Sequence, residues 1–379
     1  MQELFSNILN ISWQQVVMWI IGGILIYLAI KKEMEPTLLL PLGFGAILVN
    51  LPSAEPLNSF IKLATEGESA GPLQTLFDAG ISNELFPLLL FIGIGAMIDF
   101  GPLLSNPKLL LFGAAAQFGI FFTLTLATVC GFDLIDAASI SIIGAADGPT
   151  SIVVANALNS QYMGAITVAA YSYMALVPII QPPVIKLITT KKERLIRMPY
   201  EAREVSKTVR IFFPIIISLI AGIFAPMSAP LVGFLMFGNL IRECGVLRSL
   251  SETAQKELAN LITILLGITI ATKMEATQFL KFETLLIMGL GLVAFIFDTF
   301  AGVMFAKLLN LFSKKKINPM IGAAGISAFP MSSRVVHKMG LKEDPQNFLL
   351  MHATGVNVGG QVASAIAGGL VLMLVQGQI

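Results

Sequence analysis

Apolar runs of helix length alternate with short polar breaks along almost the whole chain. About 18 or more consecutive apolar residues suffice to cross a bilayer as a helix, so this pattern predicts a polytopic, all-α membrane protein. Twelve elements are predicted. Six lie near 13–30, 36–51, 84–100, 108–131, 135–157 and 162–189, and six near 207–225, 228–241, 257–272, 284–309, 318–338 and 346–375. The alternating ten-residue strands of an outer-membrane barrel are not part of the pattern. The chain therefore reads as a first membrane repeat (1–189), a basic linker (190–206) and a second membrane repeat (207–379).

The two sets resemble each other. Ile143-Gly144-Ala145-Ala146 recurs as Ile321-Gly322-Ala323-Ala324, an offset of 178 residues, and the same offset carries Gly113 onto Gly291 and Ala116 onto Ala294. Each half has a long helix, a Gly/Ala-rich broken element near 135–157 or 318–338, and another long helix.

Loop charge sets the expected topology. Lys31 and Lys32 follow the first helix. The next loop, 52–84, has one Lys against Glu55, Glu66, Glu68, Asp78 and Glu84. The segment 191–210 carries seven Lys/Arg (Lys191, Lys192, Arg194, Arg197, Arg203, Lys207, Arg210) against three Glu. The first loop and the linker are thus expected in the cytoplasm and the N-terminus outside. The linker returns to the cytoplasm only if 135–157 enters and leaves on one side as a hairpin. The same count puts Lys314-Lys315-Lys316 inside, with 318–338 as a second hairpin. Five crossings plus one hairpin per half give two inverted-topology repeats, the arrangement of many ion-coupled transporters, with hairpin tips meeting near mid-membrane. A broken helix that crosses fully is the alternative.

Composition narrows the chemistry. The chain is 55% hydrophobic and 12% charged, against about a quarter charged in soluble domains. A net charge of +1 leaves no nucleic-acid footprint. Cys130 and Cys244 lie near the ends of different predicted helices, so no disulfide is expected, and His337 and His352 are too few for a zinc or haem centre. Met1 to Asn10 lacks the basic region of a secretory signal. No phosphate-binding G-x-x-x-x-G-K-[ST] occurs, so energy comes from an ion gradient or a partner.

The sharpest candidate is Asp147, beside Gly148-Pro149 inside apolar sequence. Intramembrane carboxylates are expensive and mostly functional, and an interrupted helix frees backbone carbonyls for a cation. A hard anionic oxygen suits Na⁺ or a proton, and Thr150 and Ser151 add hydroxyl oxygens. In the opposing tip Asn318 and Ser327 supply neutral oxygens, while Gly322 and Gly325 allow close backbone approach. The bland alternatives are a helix cap for Asp147 and a small-residue packing motif for the second tip. Tyr173 offers a phenol inside the membrane, and Arg334 a guanidinium fork for a carboxylate arriving from the cytoplasm. Asp298 stands in the apolar run Phe295-Ile296-Phe297-Asp298-Thr299 without an accompanying break and ranks lower. Asp99, Lys273 and Glu275 read as caps or snorkelling charges. Asn357, Gly360, Gln361 and Ser364 share one helical face that is expected to pack on the tips.

Gly144-Ala145-Ala146-Asp147-Gly148-Pro149-Thr150, Ala169 through Pro178, Gln181-Pro182-Pro183 and Asn318-Pro319 through Pro330 with Arg334 resemble the beta subunits of the biotin-dependent, sodium-pumping decarboxylases. That family serves oxaloacetate, methylmalonyl-CoA, malonyl-CoA and glutaconyl-CoA decarboxylases. The resemblance implies a membrane subunit that decarboxylates carboxybiotin presented by a biotin carrier protein, exports Na⁺ and takes up a proton. It implies Asp147 as the central Na⁺ and proton carboxylate, Asn318, Gly322 and Ser327 in the ion sites, Tyr173 binding Na⁺ or delivering the proton, and Arg334 near the arriving carboxybiotin. Implied partners are a carboxyltransferase alpha subunit, the biotin carrier, a small membrane-anchored gamma or delta subunit and two further beta subunits in a trimer. The implied location is the inner membrane of a bacterium or archaeon. No Met-Lys-Met biotinylation context occurs in this chain, so the biotin sits elsewhere. A stand-alone Na⁺- or H⁺-coupled transporter of a small organic acid is the competing class.

Overall fold

The computed structural model describes residues 11–33, 36–52, 71–199 and 204–377, and every regular element among them is helical. The principal helices are α1 (Trp13–Lys32), α2 (Pro36–Val49), α3 (Leu85–Met97), α4 (Pro107–Val129), α5 (Gly148–Ala157), α6 (Met163–Ile188), α7 (Lys207–Phe224), α8 (Ala229–Glu243), α9 (Arg248–Met274), α10 (Phe282–Phe312), α11 (Met331–Glu343) and α12 (Leu350–Gln376). Among the described residues seven of these, α1, α4, α6, α7, α9, α10 and α12, are long and apolar enough to cross a membrane.

Local sequence explains the ends. At α1, Ser12 Oγ accepts from the Gln15 N–H at 3.2 Å and Gln15 Oε1 accepts from the Ser12 N–H at 2.9 Å. This reciprocal pair satisfies two of the four orphan donors of a helix start. Lys31 and Lys32 fill the last turn, where the helix dipole favours cations. α9 begins at Arg248, nine residues before the expected 257. Its first turns are polar on the outside, with Arg248 and Glu252 paired at 3.0 Å one turn apart, so hydropathy alone placed the start late. Part of the stretch expected as a loop, 52–84, is helical too: Pro72–Ser82 precedes α3 at an angle of 61°. Glu55, Glu66, Glu68 and Arg203, which entered the charge count, lie outside the described residues, as do residues 1–10. Cys130 and Cys244 are free thiols.

Packing between the two sets is reciprocal. α2 lies on α9, and α3 lies on α8. Small residues mediate both contacts. Gly45 of α2 abuts Ala271 while Gly267 abuts Pro41; Gly95 of α3 abuts Leu235 while Gly238 abuts Ile92. The same exchange holds at the centre, where α4 lies on α12 and α6 lies on α10.

The two predicted broken elements are broken. The first runs as helix Leu134–Ser141, a 3₁₀ turn Ile142–Ala145, the left-handed residue Ala146 and then α5. It ends where it began: Ser160 Oγ and Gln161 Nε2 donate to the two Asp136 oxygens at 2.6 and 2.9 Å. The second runs as a 3₁₀ turn Pro319–Gly325, a non-helical stretch from Ile326 to Pro330 and then α11. It also returns: Asn318 Nδ2 and Asn347 Nδ2 both donate to the Arg194 carbonyl, at 2.9 and 3.0 Å. The ends of the first lie beside the start of α10, where Gln161, Tyr162, Lys281 and Glu283 line one polar cavity of about 440 Å³. Those of the second lie beside the far end of α10, where Lys307 pairs with Glu193 at 3.1 Å.

Salt bridges tie the linker to the return of the second broken element. Arg194 meets Glu343 at 2.8 Å and Arg197 meets Asp344 at 2.5 Å. The hydrogen bond from Arg197, then the Gln346 N–H, hold the Asp344 carboxyl below its ordinary range. Burial pulls the Glu193 carboxyl up, but hydrogen bonds from Thr190 and the Lys307 charge outweigh it and leave it lowered. A carboxyl depressed in the folded state contributes stability above its unfolded pKa, about 4, and loses that contribution as pH falls through the folded value. Amide hydrogen exchange at 194–198, corrected for intrinsic rate, is expected to be flat from pH 7 to about 5 and to accelerate below about 4.

Candidate ion site at the two broken elements

Asp147 is the residue before α5 and caps it: Oδ1 accepts from the Thr150 N–H at 3.2 Å. Proline at the second helical position needs no hydrogen-bond partner there, so Gly148-Pro149 starts this half-helix cleanly. The carboxylate is 2% exposed. Its Oδ2 accepts from Ser364 Oγ at 2.6 Å and Gln361 Nε2 at 3.2 Å, both on α12. Three donors thus converge on a group that, ionised, only accepts. The Thr150 hydroxyl is buried without a hydrogen-bond partner, and Ser151 Oγ donates back to the Asp147 carbonyl at 2.9 Å. The Tyr171 ring lies against Gly148, and its hydroxyl, also buried, has no hydrogen-bond partner.

The two breaks touch. The Ser327 N–H donates to the Ala145 carbonyl at 2.9 Å, two residues from Asp147. Ser327 Oγ donates to the Gly360 carbonyl at 3.1 Å, and Asn357 Nδ2 to the Ile326 carbonyl at 2.6 Å. The α12 face of Asn357, Gly360, Gln361 and Ser364 therefore holds both breaks at once, as expected, and additionally reaches Asp147 directly.

Other singled-out residues lie elsewhere around this centre. Gly322 packs on Gly302 of α10 so tightly that a Cβ on either would overlap the other's carbonyl oxygen. Asn318 is fully buried at the linker end, its amide donating to the Arg194 and Ile196 carbonyls and its Oδ1 accepting from the Met320 N–H. Tyr173 donates to the Met288 carbonyl on α10, with its ring against Gly291. Arg334 is exposed on α11 and its side chain has no ion pair or hydrogen bond among the described residues, whereas Arg194, Arg197 and Lys307 are all paired. Asp99 caps the short helix that follows α3, bonding the Gly101 N–H at 2.8 Å, and Lys273 sits 4.1 Å over the Phe77 ring.

Comparison with known proteins settles the family. Residues 14–375 match the profile described as the Na⁺-transporting oxaloacetate decarboxylase beta subunit. The chain belongs to that family. It is 50% identical over 380 residues to the methylmalonyl-CoA decarboxylase subunit beta of Propionigenium modestum, covering 96% of each chain. It is 47% identical over 373 residues to the glutaconyl-CoA decarboxylase subunit beta of Acidaminococcus fermentans (98% and 96% covered), and 45% identical over 420 residues to the oxaloacetate decarboxylase beta chain of Klebsiella pneumoniae (97% of each). As a member of this family it is a multi-pass membrane subunit of a Na⁺-transporting decarboxylase, not a transporter acting alone.

Proposed function

We propose that this chain decarboxylates carboxybiotin delivered by a biotin carrier subunit and uses the reaction to export Na⁺ with uptake of a proton. The supporting observation is Asp147: a buried carboxylate at a helix break, bonded from α12 and set two residues from the contact between the breaks. Na⁺ and a proton compete for one carboxylate. Decarboxylation of an N-carboxylated ureido group releases CO₂ and leaves the nitrogen to take up one proton. Na⁺ arriving at Asp147 expels the proton that the nitrogen needs, because a nearby cation favours the ionised carboxyl. Chemistry and transport are thereby linked at one atom pair.

The remaining sites follow the same reading. Thr150 adds an oxygen beside Asp147 and Ser327 one at the contact between the breaks, Asn318 and Gly322 shape the second break, and Tyr173 serves Na⁺ or the proton from its place on α6, with its hydroxyl turned to α10. Arg334, an exposed arginine on α11, receives the carboxylate of carboxybiotin. The return of each broken element to its own end of α10, and the exchanged packing of α2 on α9 and α3 on α8, support two inverted-topology repeats carrying re-entrant hairpins (1–189 and 207–379). The basic linker and second hairpin then face the cytoplasm, with the N-terminus outside, in the inner membrane of a bacterium or archaeon. Partners are a carboxyltransferase alpha subunit, the biotin carrier and a small gamma or delta membrane subunit, around a trimer of beta subunits.

The test uses the complex purified through this chain. Streptavidin is expected to detect a biotinylated partner, and proteoliposomes to transport Na⁺ on addition of the carboxylated substrate. Arg334→Ala is expected to lower decarboxylation roughly 10- to 100-fold, the loss of a charge-assisted pair worth about 1.5–3 kcal/mol. Na⁺-dependent thermal stabilisation should be unchanged. Full decarboxylation by Arg334→Ala would remove Arg334 from the reaction. A complex without biotin would remove the whole reading.

A further inference from the structure

Asp298, in the middle of α10, is 1% exposed, and among the described residues no side chain donates to its carboxylate, whose nearest donors are the Gly119 and Ile120 amides, without full hydrogen-bond geometry. It stands at a break after all, one contributed by another helix. α4 is interrupted at Gln117 and restarts at Phe118. Asp298 Oδ1 occupies the hollow left by the missing side chain of Gly119, with the Gly119 and Ile120 amides alongside, and Oδ2 lies against Gly144 of the first broken element. A carboxylate at this depth with no cation is among the costliest groups a membrane protein can hold.

The threonines give a second, independent sign. In a helix a threonine hydroxyl commonly donates to a carbonyl one turn back. The buried Thr167, Thr189 and Thr269 do so here, as do the more exposed Thr125, Thr128 and Thr263. Thr123, Thr150 and Thr299 do not, and their hydroxyls are buried with no hydrogen bond. Thr150 adjoins Asp147. Thr123 stands one turn beyond Gly119 on the same face of α4, while Thr299 follows Asp298 in α10 and points about 100° away around the helix. Helical side chains lean toward the N-terminal turn, which brings Thr123 toward Gly119 and the carboxylate. Buried oxygens without protons to accept are what a hard cation binds.

We propose that Asp298, with the hydroxyl of Thr123, forms a second Na⁺ site between α4, α10 and the first broken element, separate from Asp147. This rests on the Na⁺-transport reading above, and the test separates the two. Na⁺ binding is measured with radioactive sodium by equilibrium dialysis on the purified complex, for the native chain, Asp147→Asn, Asp298→Asn and Thr123→Val. The expected result is that Asp298→Asn binds one Na⁺ fewer per chain and retains the ion that Asp147→Asn loses, while Thr123→Val weakens one site at least tenfold. Unchanged Na⁺ number and affinity in Asp298→Asn would overturn the site, even if its pH dependence of turnover shifted. Should Asp298→Asn not assemble, unchanged binding by Thr123→Val would overturn it equally. A native complex that binds one Na⁺, lost only in Asp147→Asn, sinks this proposal and leaves the function intact. One that binds none sinks both.

Discussion

Asp147→Asn is expected to abolish Na⁺-dependent decarboxylation and transport while leaving the fold in place. With its carbonyl in the place of Oδ2, asparagine still accepts from Ser364 and Gln361. The Thr150 cap on Oδ1 is lost, at a cost of about 1 kcal/mol. The charge is another matter. Two unit charges about 4 Å apart interact by about 4 kcal/mol at an effective dielectric of 20, so Na⁺ affinity falls on the order of a thousandfold. An amide also carries no exchangeable acid proton at working pH. Turnover in the reconstituted complex, read beside the melting temperature of the same sample, checks both halves. Na⁺-stimulated decarboxylation by a well-folded Asp147→Asn complex would show that another group exchanges the ion.

The second large effect is steric. In Gly322→Ala the new methyl group meets the Gly302 carbonyl, and because the contact is mutual neither backbone has room to yield alone. Such overpacking costs about 1–3 kcal/mol. The 3₁₀ turn Pro319–Gly325 moves off α10, and Ser327, two residues further on, moves with it. Thermal stability and turnover should fall together. A direct ion-ligand role for Gly322 predicts something else, since alanine keeps the carbonyl: stability and Na⁺ binding would both survive. Measuring both on one preparation separates a spacer from a ligand.

Much of this was legible in the sequence, and the limits have physical causes. Helices such as α6, α10 and α12 announce themselves through runs of apolar residues long enough to span lipid. The two breaks were visible because Gly148-Pro149 and Asn318-Pro319 interrupt such runs. Helix Pro72–Ser82 was hidden because Gly71-Pro72 and nearby acids look like a loop. The setting of Asp298 was hidden because its break sits in α4, at Ala116-Gln117-Phe118-Gly119, where no proline marks it. Periodicity along one segment cannot report a partner supplied by another. The place of Tyr171 was hidden for the same reason: it lies on a different side of α6 from Tyr173, and only folding sets Tyr171 against Gly148 and Tyr173 against α10.

The hydrogen bond from Ser327 to the Ala145 carbonyl constrains how the molecule can work. Both residues are buried, so parting the two breaks there leaves a donor and an acceptor unpaired away from solvent. A cycle that keeps it intact must pivot about it, like a seesaw on its fulcrum, with travel growing toward the two membrane faces. Opening one mouth would then narrow the other by simple leverage, and a leak through both at once would require the pivot itself to snap.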